Sequence, residues 1–84
     1  MDPEEVKKLI LAGLPECEVT VKGDGSHFDA LVVGDVFDGK SLLARQKLVY
    51  ATVNEVITSG QLHALSIKSY TPAEWEKVSK LQVF

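Results

Sequence analysis

The spacing of apolar and polar positions divides the chain into helical and extended segments, beginning with a helix. Near the N-terminus, apolar residues recur three and four positions apart, as they do on one face of a helix. The members of this stripe are Val6, Leu9 and Ile10. Asp2 is a suitable N-cap, and Pro3 fits the first helical position because an N–H has no intrahelical partner there. We expect Gly13 to end this helix in the left-handed conformation.

Two strands are predicted after this helix. Cys17, Val19 and Val21 alternate with polar residues, which is the period of a half-buried strand. Residues 28–33 are rich in apolar side chains at both parities, which indicates a central strand. The turn residues at 23–26 leave so short a connection that the two strands are expected to pair as an antiparallel hairpin.

A long second helix is predicted to begin after Ser41, its N-cap, and to end at Gly60. Its inner stripe contains Leu42, Val49, Val53, Val56 and Ile57, and its outer face contains Lys40, Arg45, Lys47, Asn54 and Glu55. Residues 62–69 are predicted as a third strand. The apolar parity of this strand contains His63, Leu65 and Ile67. Residues 71–74 form a capping box with proline at the first helical position, so a short last helix is expected there.

The predicted order is therefore α-β-β-α-β-α in a single α+β domain, residues 1–84. A helix that connects two strands of one sheet makes a right-handed crossover, so the second and third strands are expected to be parallel. The resulting sheet is mixed and three-stranded, with helices covering one face. Because parallel strands begin at the same end of a sheet, the second and third strands should start side by side.

Composition and charge narrow the class of protein. Hydrophobic residues at 45% and charged residues at 25% are typical of a globular domain, and no apolar run approaches the ~20 residues that span a bilayer. The single cysteine excludes an internal disulfide and fits a reducing cytosol. The acidic start at residues 1–5 differs from a basic leader, so we expect a cytoplasmic protein. A net charge of −3 argues against a dedicated nucleic-acid binder.

Two histidines are the first candidates for a functional role. His63 follows the predicted end of the second helix, and His27 lies in the hairpin turn. From the residues alone, His63 is more simply a hydrogen-bonded histidine at a strand end, and His27 an exposed loop residue. Parallel strands would bring both histidines to one end of the sheet. If they hold a metal, a partner must supply further donors, because two ligands cannot complete a tetrahedral site. Cys17 shares the inward parity of its strand, so core packing is its expected role.

No pattern of catalytic residues is present. Ser26 and His27 are adjacent in the sequence, but adjacency does not make a nucleophile and its base. Neither a P-loop nor a GxGxxG motif occurs. The sequence therefore predicts a protein that is not an enzyme.

A basic group, Lys40, Arg45 and Lys47, is the candidate surface for nucleic acid or a protein partner. Three basic residues on a helix usually form a solvated face. KH domains bind nucleic acid through a GXXG loop, and neither segment 34–37 nor segment 39–42 has the second glycine. The alternatives left open are a solvated face, a weak DNA-binding face, and a face that docks an acidic partner.

Several motifs together resemble the BolA family. They are Phe37-Asp38-Gly39-Lys40-Ser41, the basic helix start through Arg45 and Lys47, and His63 followed by Thr71-Pro72-Ala73-Glu74-Trp75. The resemblance extends from about residue 6 to residue 75. It implies the KH-like α+β fold of that family, which agrees with the order of elements predicted above.

The resemblance to BolA proteins also implies a function. In that family the histidine matching His63 binds a [2Fe-2S] cluster shared with a monothiol glutaredoxin, whose cysteine and a bound glutathione hold the other iron. The second ligand is a histidine or cysteine in the hairpin loop, where this chain offers His27. The implied role is a glutaredoxin partner in iron-sulfur cluster trafficking or iron sensing, monomeric and without metal when isolated. The family's association with transcriptional regulation leaves DNA binding as the alternative.

Overall fold

The computed structural model describes residues 1–24 and 26–81 and shows helices and strands in the predicted order. The helices are α1 (Pro3–Gly13), α2 (Leu42–Thr58) and α3 (Pro72–Val78), and the strands are β1 (Glu18–Gly23), β2 (His27–Val33) and β3 (Ala64–Tyr70). A 3-10 turn, Asp35–Phe37, lies between β2 and α2. Gly25 of the predicted turn and residues 82–84 of the predicted domain lie outside the described residues. None of the helices in the described part has the length and apolar character of a membrane-spanning segment.

The strands form one mixed sheet in the order β1-β2-β3. β1 and β2 are antiparallel, and Glu18 lies opposite Val33. β2 and β3 are parallel, and His27 lies opposite Ala64. The predicted three-stranded sheet with β2 at its centre is therefore confirmed.

The hydrophobic core lies between one face of the sheet and helices α1 and α2. Its most deeply buried members, each at most 2% exposed, are Val6, Ile10, Phe28, Ala30, Val32, Phe37, Val49, Val53 and Leu62. Alternate residues of β2 enter this core, as the two-residue period of a strand requires. Leu31 and Val33, on the opposite face of β2, are also buried, which explains why this strand is apolar at both parities. Each large side chain removed from water contributes roughly 1.5–3 kcal/mol to stability.

Gly13 has a packing role, and the predicted left-handed stop is wrong. Among the described residues only Gly39 and Gly60 have positive φ, and α1 includes Gly13 as its last residue. A Cβ at Gly13 would lie 2.5 Å from Cγ2 of Thr52 in α2. The missing side chain therefore lets the end of α1 approach α2 closely. Gly60, with φ of +82°, stands just past the end of α2, as predicted.

The predicted inner stripe of α2 is correct at its centre and wrong at both ends. Val49 and Val53 are buried. Leu42 is 68% exposed and Ile57 is 36% exposed. Leu42 lies about 10 Å before Val49 along the helix axis, beyond the end of the core. Ile57 is rotated by about 80° around the axis from Val49, which turns it toward solvent.

Arg45 joins the start of α2 to the start of α3. Its Nη1 and Nη2 donate to Oε1 and Oε2 of Glu74 at 2.6 Å and 3.3 Å, and its Nε donates to the Lys40 carbonyl at 3.0 Å. Glu74 also completes the predicted capping box, because its Oε1 accepts from the Thr71 N–H at 2.8 Å. The Arg45 side chain is only 13% exposed. Its predicted place on the outer face of α2 is therefore wrong, since the long side chain folds back onto α3.

Glu74→Gln is expected to lower the melting temperature at neutral pH. Hydrogen bonds from Arg45 and from the Thr71 N–H lower the pKa of the Glu74 carboxyl to about 2. A carboxyl with a lowered folded-state pKa stabilises the fold above its ordinary pKa, and this contribution is lost as the pH falls toward the folded-state value. The difference in melting temperature between wild type and Glu74→Gln should therefore be largest near neutral pH and shrink between about pH 5 and pH 2.

Glu76→Gln is the matched control for this experiment. It removes the same charge from the same helix, at an exposed position outside the contact between Arg45 and Glu74. If Glu74→Gln lowers the melting temperature no more than Glu76→Gln does, or if its effect persists undiminished in acid, the role assigned to Glu74 is wrong.

Gly13→Ala is expected to destabilise the protein by ~1–3 kcal/mol, as overpacking does elsewhere, although alanine favours helices over glycine by ~1 kcal/mol. The cause is the clash of the new Cβ with Cγ2 of Thr52. Thr52→Ser removes that methyl group and keeps the hydroxyl, which donates to the Val49 carbonyl at 2.6 Å. In the Thr52→Ser variant, Gly13→Ala should therefore change the free energy of unfolding little or increase it. The measurement is urea unfolding of four proteins: wild type, the two single variants and the double variant. If the two changes in the free energy of unfolding simply add, the clash is not the cause.

Candidate functional site

His27 is the first residue of β2, and Asp24 holds its backbone in a tight turn. Oδ1 of Asp24 accepts from the Ser26 N–H, the Ser26 hydroxyl and the His27 N–H, each at 3.0 Å. The Asp24 N–H donates in turn to the His27 carbonyl at 3.2 Å. These donors stabilise the ionised carboxylate and lower the pKa of Asp24 to about 2, the bond from the His27 N–H having the largest effect. These hydrogen bonds thus hold the backbone at the start of β2, where the His27 side chain is exposed.

The His27 imidazole lies on the surface beside Asp29. Residues two apart in a strand face the same side of the sheet, and Nε2 of His27 is 3.3 Å from Oδ1 of Asp29. The two side chains are 54% and 52% exposed. The ring is therefore oriented by a neighbour and still open to an approaching molecule.

His63 is exposed and lies immediately before β3. The residue before it, Leu62, is buried, and its N–H donates to the Val56 carbonyl at 3.0 Å. This anchor ties the connection to the end of α2, so the strand begins at Ala64 and not at residue 62 as predicted. The predicted place of His63 on the apolar parity is therefore wrong. Within residues 1–24 and 26–81, no group hydrogen-bonds to the His63 ring.

The parallel pairing of β2 with β3 brings the two histidines to one end of the sheet, which we call the histidine end. His27 lies opposite Ala64, the residue directly after His63. Neighbouring strands are about 4.8 Å apart, so the two backbones are adjacent there. The predicted common end is confirmed, while the metal-binding role of both residues stays a prediction.

The histidine end carries two exposed imidazole side chains, one at the start of β2 and one just before β3. Elsewhere in the described part of the chain, as here, no three His, Cys, Asp or Glu side chains come together as a metal site. A metal bound at the histidine end would take its remaining ligands from another molecule, because a tetrahedral centre needs further donors. Imidazole is a suitable metal donor, and binding of a metal by either histidine stays a prediction.

Cys17 lies far from the histidine end and packs in the core, as predicted. It is 7% exposed and immediately precedes β1, whose first residue pairs with Val33 at the far end of β2. The length of β2, about 20 Å, separates this point from His27. Burial, and to a lesser extent the charge of Glu16, raises the pKa of the Cys17 thiol. A raised pKa disfavours the thiolate, which is the form that binds metals.

The basic residues do not gather at the histidine end. Lys40 precedes α2 and His63 follows it, and a helix of 17 residues is about 25 Å long. Lys40 and Lys47 line a shallow groove with Ala44, Leu48 and Ala51. Arg45 is bonded to Glu74 and takes no part in this groove. A role in binding a partner or nucleic acid stays a prediction for all three basic residues.

Reasoning from the sequence does not identify Asp24 and Asp29 as parts of the histidine end. The signals are nevertheless local. Aspartate before a glycine and a serine is typical of a turn in which the carboxylate binds nearby backbone N–H groups. Asp29 stands two positions after His27 in a strand, so the two side chains share a face. Only the folded geometry shows that both carboxylates contact His27.

Comparison with known proteins assigns the chain to a family. The sequence model described as BolA-like protein matches residues 13–74. The chain belongs to the BolA family. The acid stress protein IbaG of Escherichia coli strain K12 is 44% identical to it over 84 residues, which is the whole length of both chains.

Solved structures of BolA proteins share the fold of this chain. A BolA homologue from Coxiella burnetii has a TM-score of 0.82 and 40% identity, over 90% of this chain and 97% of that one. Yeast Fra2 has a TM-score of 0.74 and 32% identity, over 100% of this chain and 96% of that one. The predicted α+β fold and the resemblance to the BolA family are both confirmed.

Asp24→Ala is expected to loosen the backbone around His27 without unfolding the domain. The substitution removes the oxygen that accepts hydrogen bonds from Ser26 and His27. In hydrogen–deuterium exchange followed by NMR, the His27 amide should exchange faster than in wild type, while the amide of the buried Val32 should keep its rate. Ser26→Ala removes only a side-chain donor and is the control, expected to leave the His27 amide unchanged. Equal exchange at His27 in wild type and Asp24→Ala would refute the role of Asp24.

Proposed function

We propose that this BolA-family chain is a non-enzymatic, cytoplasmic partner of a monothiol glutaredoxin and that the two proteins share a [2Fe-2S] cluster. His63 and His27 are the ligands from this chain, and the glutaredoxin cysteine with a bound glutathione supplies the others. The observation that carries the proposal is the register of β2 and β3, in which His27 lies opposite the residue after His63. Two exposed imidazoles therefore stand at one end of the sheet, where a second protein can reach both.

The donor chemistry supports this assignment. Imidazole is a suitable ligand for iron, and in Rieske [2Fe-2S] centres histidines replace the cysteines on one of the two irons and raise the reduction potential. Each ring binds through a nitrogen that carries no proton. Because no three candidate ligands come together in the described part of the chain, we expect the isolated protein to be a monomer that holds no metal tightly.

The proposal places the chain in iron-sulfur cluster trafficking or iron sensing. The name of the Escherichia coli relative, acid stress protein, supports a connection with the response to stress. DNA binding has weaker support, because affinity for nucleic acid rests on several basic side chains that contact phosphates. One of the three candidates, Arg45, is already held by Glu74, and the chain has no GXXG loop.

His63→Ala is expected to leave the fold intact and to make the shared cluster more labile. The exposed ring lies outside the core, so its removal should cost no more than ~1 kcal/mol of folding stability, near the average for point substitutions. The cluster is assembled with a monothiol glutaredoxin and glutathione, and its visible absorption and circular dichroism spectra are followed over time. His63→Ala should change both spectra and shorten the lifetime, and His27→Ala should do so more weakly.

Gln61→Ala is the control for His63→Ala, because it truncates an exposed residue in the same connection without removing a candidate ligand. Its spectra and cluster lifetime should match those of wild type. If His63→Ala also matches wild type in both, His63 is not a ligand. If the wild-type chain forms no mixed cluster with a glutaredoxin, the proposed function itself is wrong.

A further inference from the structure

The contact between His27 and Asp29 favours one position for the hydrogen on the neutral His27 ring. An ionised carboxylate accepts hydrogen bonds and cannot donate them. The 3.3 Å approach of Nε2 to Oδ1 of Asp29 is therefore a hydrogen bond only when Nε2 bears the hydrogen. In the neutral ring this leaves the lone pair on Nδ1, which is then the nitrogen available to a metal.

Metal-binding histidines in proteins commonly donate their other N–H to a carboxylate, which fixes the tautomer and the orientation of the ring. Asp29 meets this description at the histidine end. Asp24 holds the backbone of the same residue through its N–H, so both the main chain and the ring of His27 are positioned before any partner binds. The His63 ring has no such hydrogen bond within residues 1–24 and 26–81. It can therefore serve, in the same molecule, as the reference against which the tautomer of His27 is compared.

We propose that Asp29 is a positioning residue that holds the His27 ring in the Nε2–H tautomer and presents Nδ1 to the iron of the shared cluster. This proposal rests on the proposed function, because it takes His27 as a ligand. Asp29 acts through the imidazole and does not itself bind the metal. Its effect on the tautomer exists in the isolated chain and can be measured there.

The first experiment uses the isolated, nitrogen-15-labelled protein at a pH where both rings are neutral. Long-range proton–nitrogen NMR spectra report which ring nitrogen bears the hydrogen. In wild type, His27 should be in the Nε2–H tautomer more completely than His63. Asp29→Asn replaces the acceptor with an amide that can also donate, so the His27 nitrogen shifts should move toward those of the other tautomer while the His63 shifts stay unchanged.

Glu18→Gln is the matched control. It removes one negative charge from the same face of the sheet, opposite Val33 at the other end of β2, and should leave the tautomers of both histidines as in wild type. If Asp29→Asn leaves the His27 tautomer unchanged, or if Glu18→Gln alters it equally, Asp29 does not position the ring.

The second experiment loads wild type, Asp29→Asn and Glu18→Gln with a [2Fe-2S] cluster in the presence of a monothiol glutaredoxin and glutathione. Loss of a residue that hydrogen-bonds to a metal ligand typically lowers metal affinity 10–100-fold. The cluster of Asp29→Asn should therefore exchange at least ~10-fold faster than the clusters of wild type and Glu18→Gln. An altered tautomer with an unchanged cluster lifetime would overturn the positioning role. If wild type forms no cluster at all, the proposed function is wrong. The part of this proposal that concerns iron is then wrong as well.

Discussion

The parallel pairing of β2 with β3 brings the two histidines of the candidate site to one end of the sheet. Two parallel strands of one sheet need a long crossover connection, and the 17 residues of α2 form most of it. The same pairing brings together His27 and His63, which this crossover separates in the sequence. A slip of one residue would turn Ile67 out of the core and Lys68 into it, so burial of the apolar face of β3 also fixes the register at the histidine end.

The two ends of the sheet have different physical characters. At one end Arg45 binds Glu74, and these side chains lock the starts of α2 and α3 together. At the other end both histidines are exposed; Asp24 holds the backbone of His27, and the buried Leu62 anchors the residue before His63. The proposed partner would therefore bind at the end opposite the contact between Arg45 and Glu74.

The order of elements could be predicted because it depends on short-range periodicity and caps, and the common end of the two histidines followed from the parallel crossover. Most of the errors concern contacts that the periodicity of a single element does not encode. Arg45 has the spacing of a surface residue, and only the position of Glu74 shows where its guanidinium goes. Gly13 has the sequence context of a helix stop, and only the approach of α2 reveals its packing role. His63 was shifted to the surface by the anchoring of Leu62, a contact that strand alternation does not encode.

In the proposed complex, imidazole nitrogens of this chain bind iron in a cluster shared with a glutaredoxin. The most direct measurement is pulsed electron paramagnetic resonance of the reduced cluster, with this chain labelled with nitrogen-15 histidine and the glutaredoxin unlabelled. We expect strongly coupled nitrogen signals that change from the nitrogen-14 to the nitrogen-15 pattern when only this chain is labelled. A spectrum in which labelling leaves the strong couplings unchanged, or in which none is present, would contradict it.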